Sequence, residues 1–240
     1  MKKIIITAGG TSEKIDDVRK ITNSSSGRLG MIIANHLKSN KEYYIYYICS
    51  KTALQPKGNN IKIIEIEDTE DLKEKVEFLL TNDRIDFFIH SMAVSDYTVD
   101  YITTLELIRE SLNNLNDSIN NEMFSNVKRI NDSKISSYEN NLVLVLKPTP
   151  KIISMIKKLS PKTFLIGFKL LMNVSKDHLI DVAKSLRDKN DCDLVVANDL
   201  KSIRNGEHIA FLIDKNDDVE EAVGKDDIAK KLVKIIKKNS

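Results

Sequence analysis

A chain of 240 residues stands near the upper limit for one hydrophobic core, so a single α/β domain over residues 1–240 is the expectation. Its 37 basic and 35 acidic residues nearly cancel to +2, and no long basic block precedes the lysine-rich last turn, which argues against nucleic-acid or anionic-membrane partners. The apolar run within Met1–Thr7 is too short for a signal peptide or spanning helix, and Cys49 and Cys192 lack CxxC spacing, so a cytoplasmic chain with two structural thiols is expected.

Lys2–Thr7 is a run of β-favouring residues that stops at Gly9-Gly10, the pattern of a buried parallel strand entering a tight turn. A long polar loop, Thr11–Gly27, leads to an apolar stripe at Leu29, Ile33 and Leu37 that predicts a helix over 28–39. Tyr43–Cys49, Ile61–Ile66 and Asp86–His90 read as strands, with Asp68 or Thr69 capping a helix to about Leu80. This alternation predicts a doubly wound, mostly parallel Rossmann-like sheet with helices on both faces and ligands at the strand carboxyl ends.

Residues 101–131 begin with helix-like spacing at Leu105 and Leu107 and become rich in Asn and Ser, so a mobile flap around 101–140 is expected. Beyond it come a strand at Leu142–Leu146, a helix to about Lys158, a strand at Thr163–Phe168 and a helix capped by Ser175 that runs to about Lys189. Leu194–Ala197 and His208–Ile213 read as strands, and Asp226–Lys238 as a closing amphipathic helix.

The loop after the first strand, Gly9-Gly10-Thr11-Ser12 with Asn23-Ser24-Ser25-Ser26-Gly27-Arg28-Leu29-Gly30, places N–H groups and hydroxyls at a helix N-terminus, where an anion is favoured; a tight turn with an ordinary cap would read the same way. Neither GxxxxGK[ST] nor GxGxxG occurs. The Tyr47-xxx-Lys51 spacing of short-chain dehydrogenases falls on a strand-like stretch, which cannot present both side chains on one helical face. Ala93-Val94-Ser95-Asp96-Tyr97 brings a carboxylate to the carboxyl edge, as site residue or helix cap, and Phe168 there either stacks on a base or fills core. The four histidines show no HxxxH or HExxH spacing, so no protein-held metal is expected, and magnesium would ride on substrate phosphates.

Taken together, Ile6–Glu13, Asp16–Arg19, Ile21–Gly27, Ala93–Tyr97, Lys134-Ile135, Gly167-Phe168, Lys189-Asn190 and Ala197–Asp199 resemble the phosphopantothenate–cysteine ligases (phosphopantothenoylcysteine synthetases), over residues 2 to about 215. The resemblance implies an enzyme of coenzyme A biosynthesis, acting as a homodimer of the stand-alone type. It would join 4'-phosphopantothenate to L-cysteine through an acyl-nucleotidylate made from CTP or ATP. It assigns Asn23 to the carboxylate and acyl-nucleotidylate, Gly10, Ser25, Gly27 and Gly30 to the phosphate loop, and Lys134 to a flap lysine. His90, Ser91, Met92, Asp96, Phe168, Lys189 and Asn198 would surround the nucleotide, and Ala93 the substrate. Arg19 and Arg28 are added as candidate partners of a substrate bearing phosphate and carboxylate, against the alternative of solvated charges. Two departures, Ser136-Ser137 after Lys134-Ile135 and Lys169-Leu170-Leu171 after Phe168, leave the choice between CTP and ATP open. A nicotinamide-dependent oxidoreductase and a non-catalytic nucleotide-binding module are the alternative classes.

Overall fold

The computed structural model describes residues 1–113, 127–204 and 206–240. The first half comprises β1 (Lys2–Ala8), β2 (Ser12–Lys14), β3 (Lys20–Thr22), α1 (Arg28–Leu37), β4 (Tyr43–Ser50), β5 (Ile61–Ile66), α2 (Thr69–Asn82) and β6 (Phe87–His90). There follow β7 (Tyr97–Thr104), α3 (Leu105–Asn113), β8 (Leu142–Pro148), α4 (Ile153–Leu159), β9 (Phe164–Leu171) and α5 (Lys176–Asn190). The chain closes with β10 (Leu194–Asp199), α6 (Leu200–Arg204), β11 (Ile209–Asp214), β12 (Val219–Val223) and α7 (Lys225–Lys238).

Eight strands form one sheet in the order β12-β11-β10-β9-β6-β1-β4-β5. Every pairing from β10 to β5 is parallel, and β11 and β12 add antiparallel at one edge. Side chains alternate across β1, so Ile4 and Ile6 join Ile33, Leu37, Tyr47, Leu232 and Ile236 under α1 and α7. Ile5 faces the other way, with Leu72, Val76, Ile156, Leu179 and Ala183 under α2, α4 and α5. All three isoleucines are wholly buried, which contributes roughly 1.5–3 kcal/mol each. The doubly wound architecture is thus present, with helices on both faces. Cys49 and Cys192 are free and buried on opposite faces.

From β1 the chain winds outward through α1 to β4 and β5, then α2 returns it to β6 on the other side of β1. The strand order therefore reverses between β1 and β6, and their carboxyl ends flank the crevice where such sheets bind ligands.

Five differences from the sequence reading bear on that crevice. Thr11–Gly27 is not all loop, because β2 and β3 pair antiparallel through Ser12–Thr22, Glu13–Ile21 and Lys14–Lys20. The region assigned to a flap opens with β7, which pairs antiparallel with β8 and buries Ile102, Thr103 and Thr104. Of that region, 114–126 lie outside the described residues. Asp96 caps no helix, since Tyr97 begins a strand directly after it. Finally, α6 and the edge strand β12 are additional elements, and His208 precedes β11 with a left-handed φ of 48°.

Candidate active site

At the carboxyl edge lies a cavity of about 460 Å³ walled by Ser24–Gly30, His90–Asp96, Pro150–Ile153 and Phe168–Leu170, with Leu186, Asn198, Ile203, His208 and Lys225. The first wall is the N-terminus of α1. Its cap is Gly27, whose φ of 69° suits glycine, and no side chain occupies the cap position. The Tyr47 hydroxyl, buried beneath, donates toward the carbonyls of Leu54 at 3.0 Å and Gly27 at 3.4 Å. Tyr47 is therefore a prop for the loop, and its apparent pairing with Lys51 has no counterpart in the geometry.

Gly30 lets α1 sit down on β1. A Cβ there would stand 2.7 Å from Ala8 Cβ and 3.2 Å from Ser91 Oγ. Gly10 does not line the cavity; it bridges to Ala93, and a Cβ on it would stand 2.0 Å from the Asn23 carbonyl oxygen.

The second wall is stapled to the first strand. Ser91 Oγ donates to the Thr7 carbonyl at 2.7 Å, and Ala93 N to that of Gly9 at 2.9 Å. Buried Thr11 ties the layers together: its N–H donates to Ala93 O at 3.2 Å, its Oγ1 accepts from Ser95 N at 2.9 Å, and its carbonyl accepts from Asn23 N at 3.2 Å. Asn23 thus lies directly behind the lining, its side-chain amide donating to Ala93 O at 3.4 Å. The His90 ring hydrogen-bonds Thr7 Oγ1 at 2.9 Å, and burial pushes its pKa down to about 4. His90 is therefore neutral at neutral pH. The loop after β8 closes this side, with Thr149 N donating to Asp96 O at 3.0 Å and Thr149 Oγ1 to Ser95 O. Ser95 Oγ is buried with no partner among the described residues.

Charge on the lining is one-sided. Arg28, Lys151, Lys169 and Lys225 stand against the single carboxylate of Asp96, which is paired with Lys151. Burial and the nearby Arg28 charge lower the Lys225 pKa. Among the described residues Arg28 has no carboxylate partner, so the wall is suited to a polyanion.

Ser25, Gly27, Arg28, Gly30, His90, Ser91, Met92, Ala93, Asp96, Phe168 and Asn198 are brought together on this cavity. Phe168 is half-buried between core and cavity, and Asn198 donates to the Ile209 carbonyl at 3.4 Å.

Three of the expected site residues lie elsewhere. Lys189 is exposed on the last turn of α5, which runs back along parallel β9 and β10 and so ends at the opposite, amino edge of the sheet. Arg19 is not free for a ligand: its guanidinium is held by Asp16, at 2.5 and 3.0 Å, and by the Ile135 carbonyl at 2.8 Å. That contact holds the Asp16 carboxyl well below the usual carboxylate range. Lys134 is exposed on the same turn, where Asp17 N donates to Ser133 O at 3.0 Å and Ile135 N to Asp16 Oδ2 at 3.2 Å. The residues not anticipated are Thr11, Lys151, His208 and Lys225. A threonine following the glycines was the only local signal among them.

A family model described as the DNA/pantothenate metabolism flavoprotein C-terminal domain matches residues 1–118 and 125–239. A curated relative, the coenzyme A biosynthesis bifunctional protein CoaBC of Thermococcus kodakarensis, is 32% identical over 237 residues, 99% of this chain and 48% of that protein. The chain thus spans about half the length of the curated relatives it matches. Among solved structures, the DNA/pantothenate metabolism flavoprotein of Streptococcus pneumoniae is 42% identical, with a TM-score of 0.87 and complete coverage of both chains. A Cab2 mutant in complex with phosphopantothenate-cysteine superposes with a TM-score of 0.69 over 99% of this chain and 87% of the other. At 15% identity it bears on the fold alone.

Proposed function

The chain belongs to the DNA/pantothenate metabolism flavoprotein C-terminal domain family, and on that footing we propose that it forms the amide between 4'-phosphopantothenate and L-cysteine. The observation that carries the reading is the cavity at the β1/β6 switch point, where an uncapped helix N-terminus and four cations face one carboxylate, with Asn23 fixed directly behind the wall. Two polyanions, a nucleoside triphosphate and a phosphorylated carboxylic acid, match that charge.

In this reading a carboxylate oxygen of phosphopantothenate attacks the α-phosphorus of CTP or ATP and expels pyrophosphate. The amine of cysteine then attacks the acyl carbon and expels the nucleoside monophosphate. A free carboxylate is a poor electrophile, and the acyl phosphate is the activated form. No protein nucleophile is required, only alignment and offset of charge. Asn23 orients the carboxylate and the acyl-nucleotidylate. The loop of Ser25, Gly27 and Gly30, shaped from behind by Gly10, offers N–H groups to phosphate oxygens. His90 to Met92, Asp96, Phe168 and Asn198 hold the nucleotide, and Ala93 the substrate. Lys134 closes over the phosphates from a conformation in which residues 133–135 have left the Asp16–Arg19 turn. Asp96 is the one carboxylate among the described lining residues, and no group of three or more metal-ligating side chains forms among them, which suits magnesium carried in on nucleotide phosphates.

The proposal extends to a homodimeric, cytoplasmic ligase in one domain. Among the described residues no helix is long and apolar enough to cross a membrane. Pyrophosphate release measured with phosphopantothenate, magnesium and either CTP or ATP tests the reading and reads the nucleotide preference. Release that ignores phosphopantothenate would contradict it.

A further inference from the structure

Behind the cavity wall, three side chains that take no part in the roles assigned above are joined in a line. Glu13, on β2, is only 4% exposed, and its Oε1 accepts from Thr69 N at 3.1 Å and from Thr69 Oγ1 at 2.7 Å at the start of α2. Thr69 Oγ1 lies 3.3 Å from Thr11 Oγ1, which accepts from Ser95 N at 2.9 Å. Each hydroxyl has one proton to give. That of Thr69 goes to the carboxylate oxygen, so the proton of Thr11 goes to Thr69 Oγ1, because Ser95 N is itself a donor. The direction is therefore fixed: Ser95 N–H to Thr11, Thr11 to Thr69, and Thr69 to Glu13.

The surrounding fold is held without this line. Asp68 already caps α2, accepting from Asp71 N at 2.8 Å. The β2–β3 hairpin is already tied to the loop before α2: Ser12 N donates to the Glu67 carbonyl at 2.8 Å, and Lys14 and Lys20 pair with the Glu67 carboxylate. Burying a carboxylate carries a desolvation penalty that an apolar side chain in the same space would avoid. What Glu13 supplies instead is the last acceptor, which orders two threonine hydroxyls in turn. That order reaches the candidate site through Thr11, whose carbonyl accepts from Asn23 N and whose N–H donates to Ala93 O, both at 3.2 Å.

We propose that Glu13 and Thr69 are positioning residues for the ligase reaction. Acting through Thr11, they hold Asn23 and the segment Ala93–Ser95 in one register, and neither touches substrate. What Asn23 does in that register rests on the proposed function; the hydrogen bonds do not.

Paired substitutions in the full chain test this. Thr69→Val keeps the shape and removes the hydroxyl, whereas Thr69→Ser keeps the hydroxyl and loses a methyl group, so a packing role and a hydrogen-bonding role predict opposite rankings. We expect Thr69→Val, Thr11→Val and Glu13→Met to lower kcat for pyrophosphate release roughly tenfold, with KM for nucleotide and phosphopantothenate unchanged and with Thr69→Ser and Glu13→Gln within about twofold of the parent. Without any ligand, amide hydrogen exchange at Ser95 and Asn23 should quicken in both valine variants, by about tenfold in Thr11→Val, while exchange at Ile5 in β1 stays as in the parent. Thr11→Val and Glu13→Met carry the test should Thr69→Val fail to fold. Turnover by Thr69→Ser below that of Thr69→Val, or a lower melting temperature with kcat unchanged, would reduce the line to packing and overturn the proposal. So would parent-like exchange at Ser95 and Asn23 in the valine variants. A chain that released no pyrophosphate from phosphopantothenate and nucleotide, yet showed the faster exchange, would sink the proposed function and leave the positioning line standing.

Discussion

The carbonyl oxygen of Asn23 occupies the space a side chain on Gly10 would need, 2.0 Å from where its Cβ would stand. The obstacle is backbone, so no rotamer relieves it. Gly10→Ala must displace the Asn23 strand end from the Thr11 and Ala93 contacts that hold it. The expected result is a folded protein destabilised by about 1–3 kcal/mol, the range for overpacking a filled site, with turnover down at least tenfold. Thermal melting and pyrophosphate release read both numbers, and parent-like turnover in that variant would show that the fit between the two residues is dispensable.

Asn23→Ala separates function from stability. The side chain makes one long hydrogen bond, 3.4 Å to Ala93 O, and is only half-buried. Stability should fall by less than about 1 kcal/mol while most turnover is lost. A variant that stays folded and fully active contradicts the role given to this amide.

Lys134 and Lys189 make a paired test. Lys189 lies one turn beyond the lining residue Leu186 and does not itself line the cavity, so Lys189→Ala should leave turnover within about twofold. Lys134→Ala should lower kcat by about a hundredfold or more, the loss typical of one donor to developing charge. The opposite ranking would mean that residues 133–135 stay on the Asp16–Arg19 turn throughout catalysis.

His90 and His208 each have a pKa of about 4 in the folded chain, below the usual 6.5. The unfolded chain binds more protons between those values, so stability is fully present above about pH 6.5 and is lost as pH falls toward 4. The slope is at most about 1.4 kcal/mol per pH unit for each ring. Urea unfolding at pH 7, 6, 5 and 4 should show this decline, and His90→Asn with His208→Asn should flatten it. An equally steep decline in the double variant would place the acid sensitivity elsewhere.

Much of the fold and part of the site could be read from local pattern. Ile4–Ile6 form an uninterrupted apolar run because the strand is covered on both faces, and the glycines after it mark where the chain must turn. Elements on the periphery carried weaker signals. Val219–Val223 is an edge strand with one buried residue in five, and its two glutamates hid it. Tyr97–Thr104 has the β-branched residues of a strand, but Asp100 and the Asn-rich stretch beyond drew it into a presumed flap. Lys189 was placed at the site by the family resemblance, and the last turn of α5 leaves it exposed, with Leu186 one turn earlier on the lining. Lys151, His208 and Lys225 had no local signature at all. They come from three different connections, and only the strand order and the packing of α1 on α7 bring them to one cavity.

The most direct test of the whole account is single-turnover pyrophosphate release from the purified chain with magnesium, nucleoside triphosphate and phosphopantothenate, before cysteine is added. The account predicts a burst of pyrophosphate stoichiometric with protein, abolished by omitting phosphopantothenate and converted to steady turnover by cysteine. No burst until cysteine is present, or the same burst without phosphopantothenate, would contradict activation of the carboxylate in this cavity.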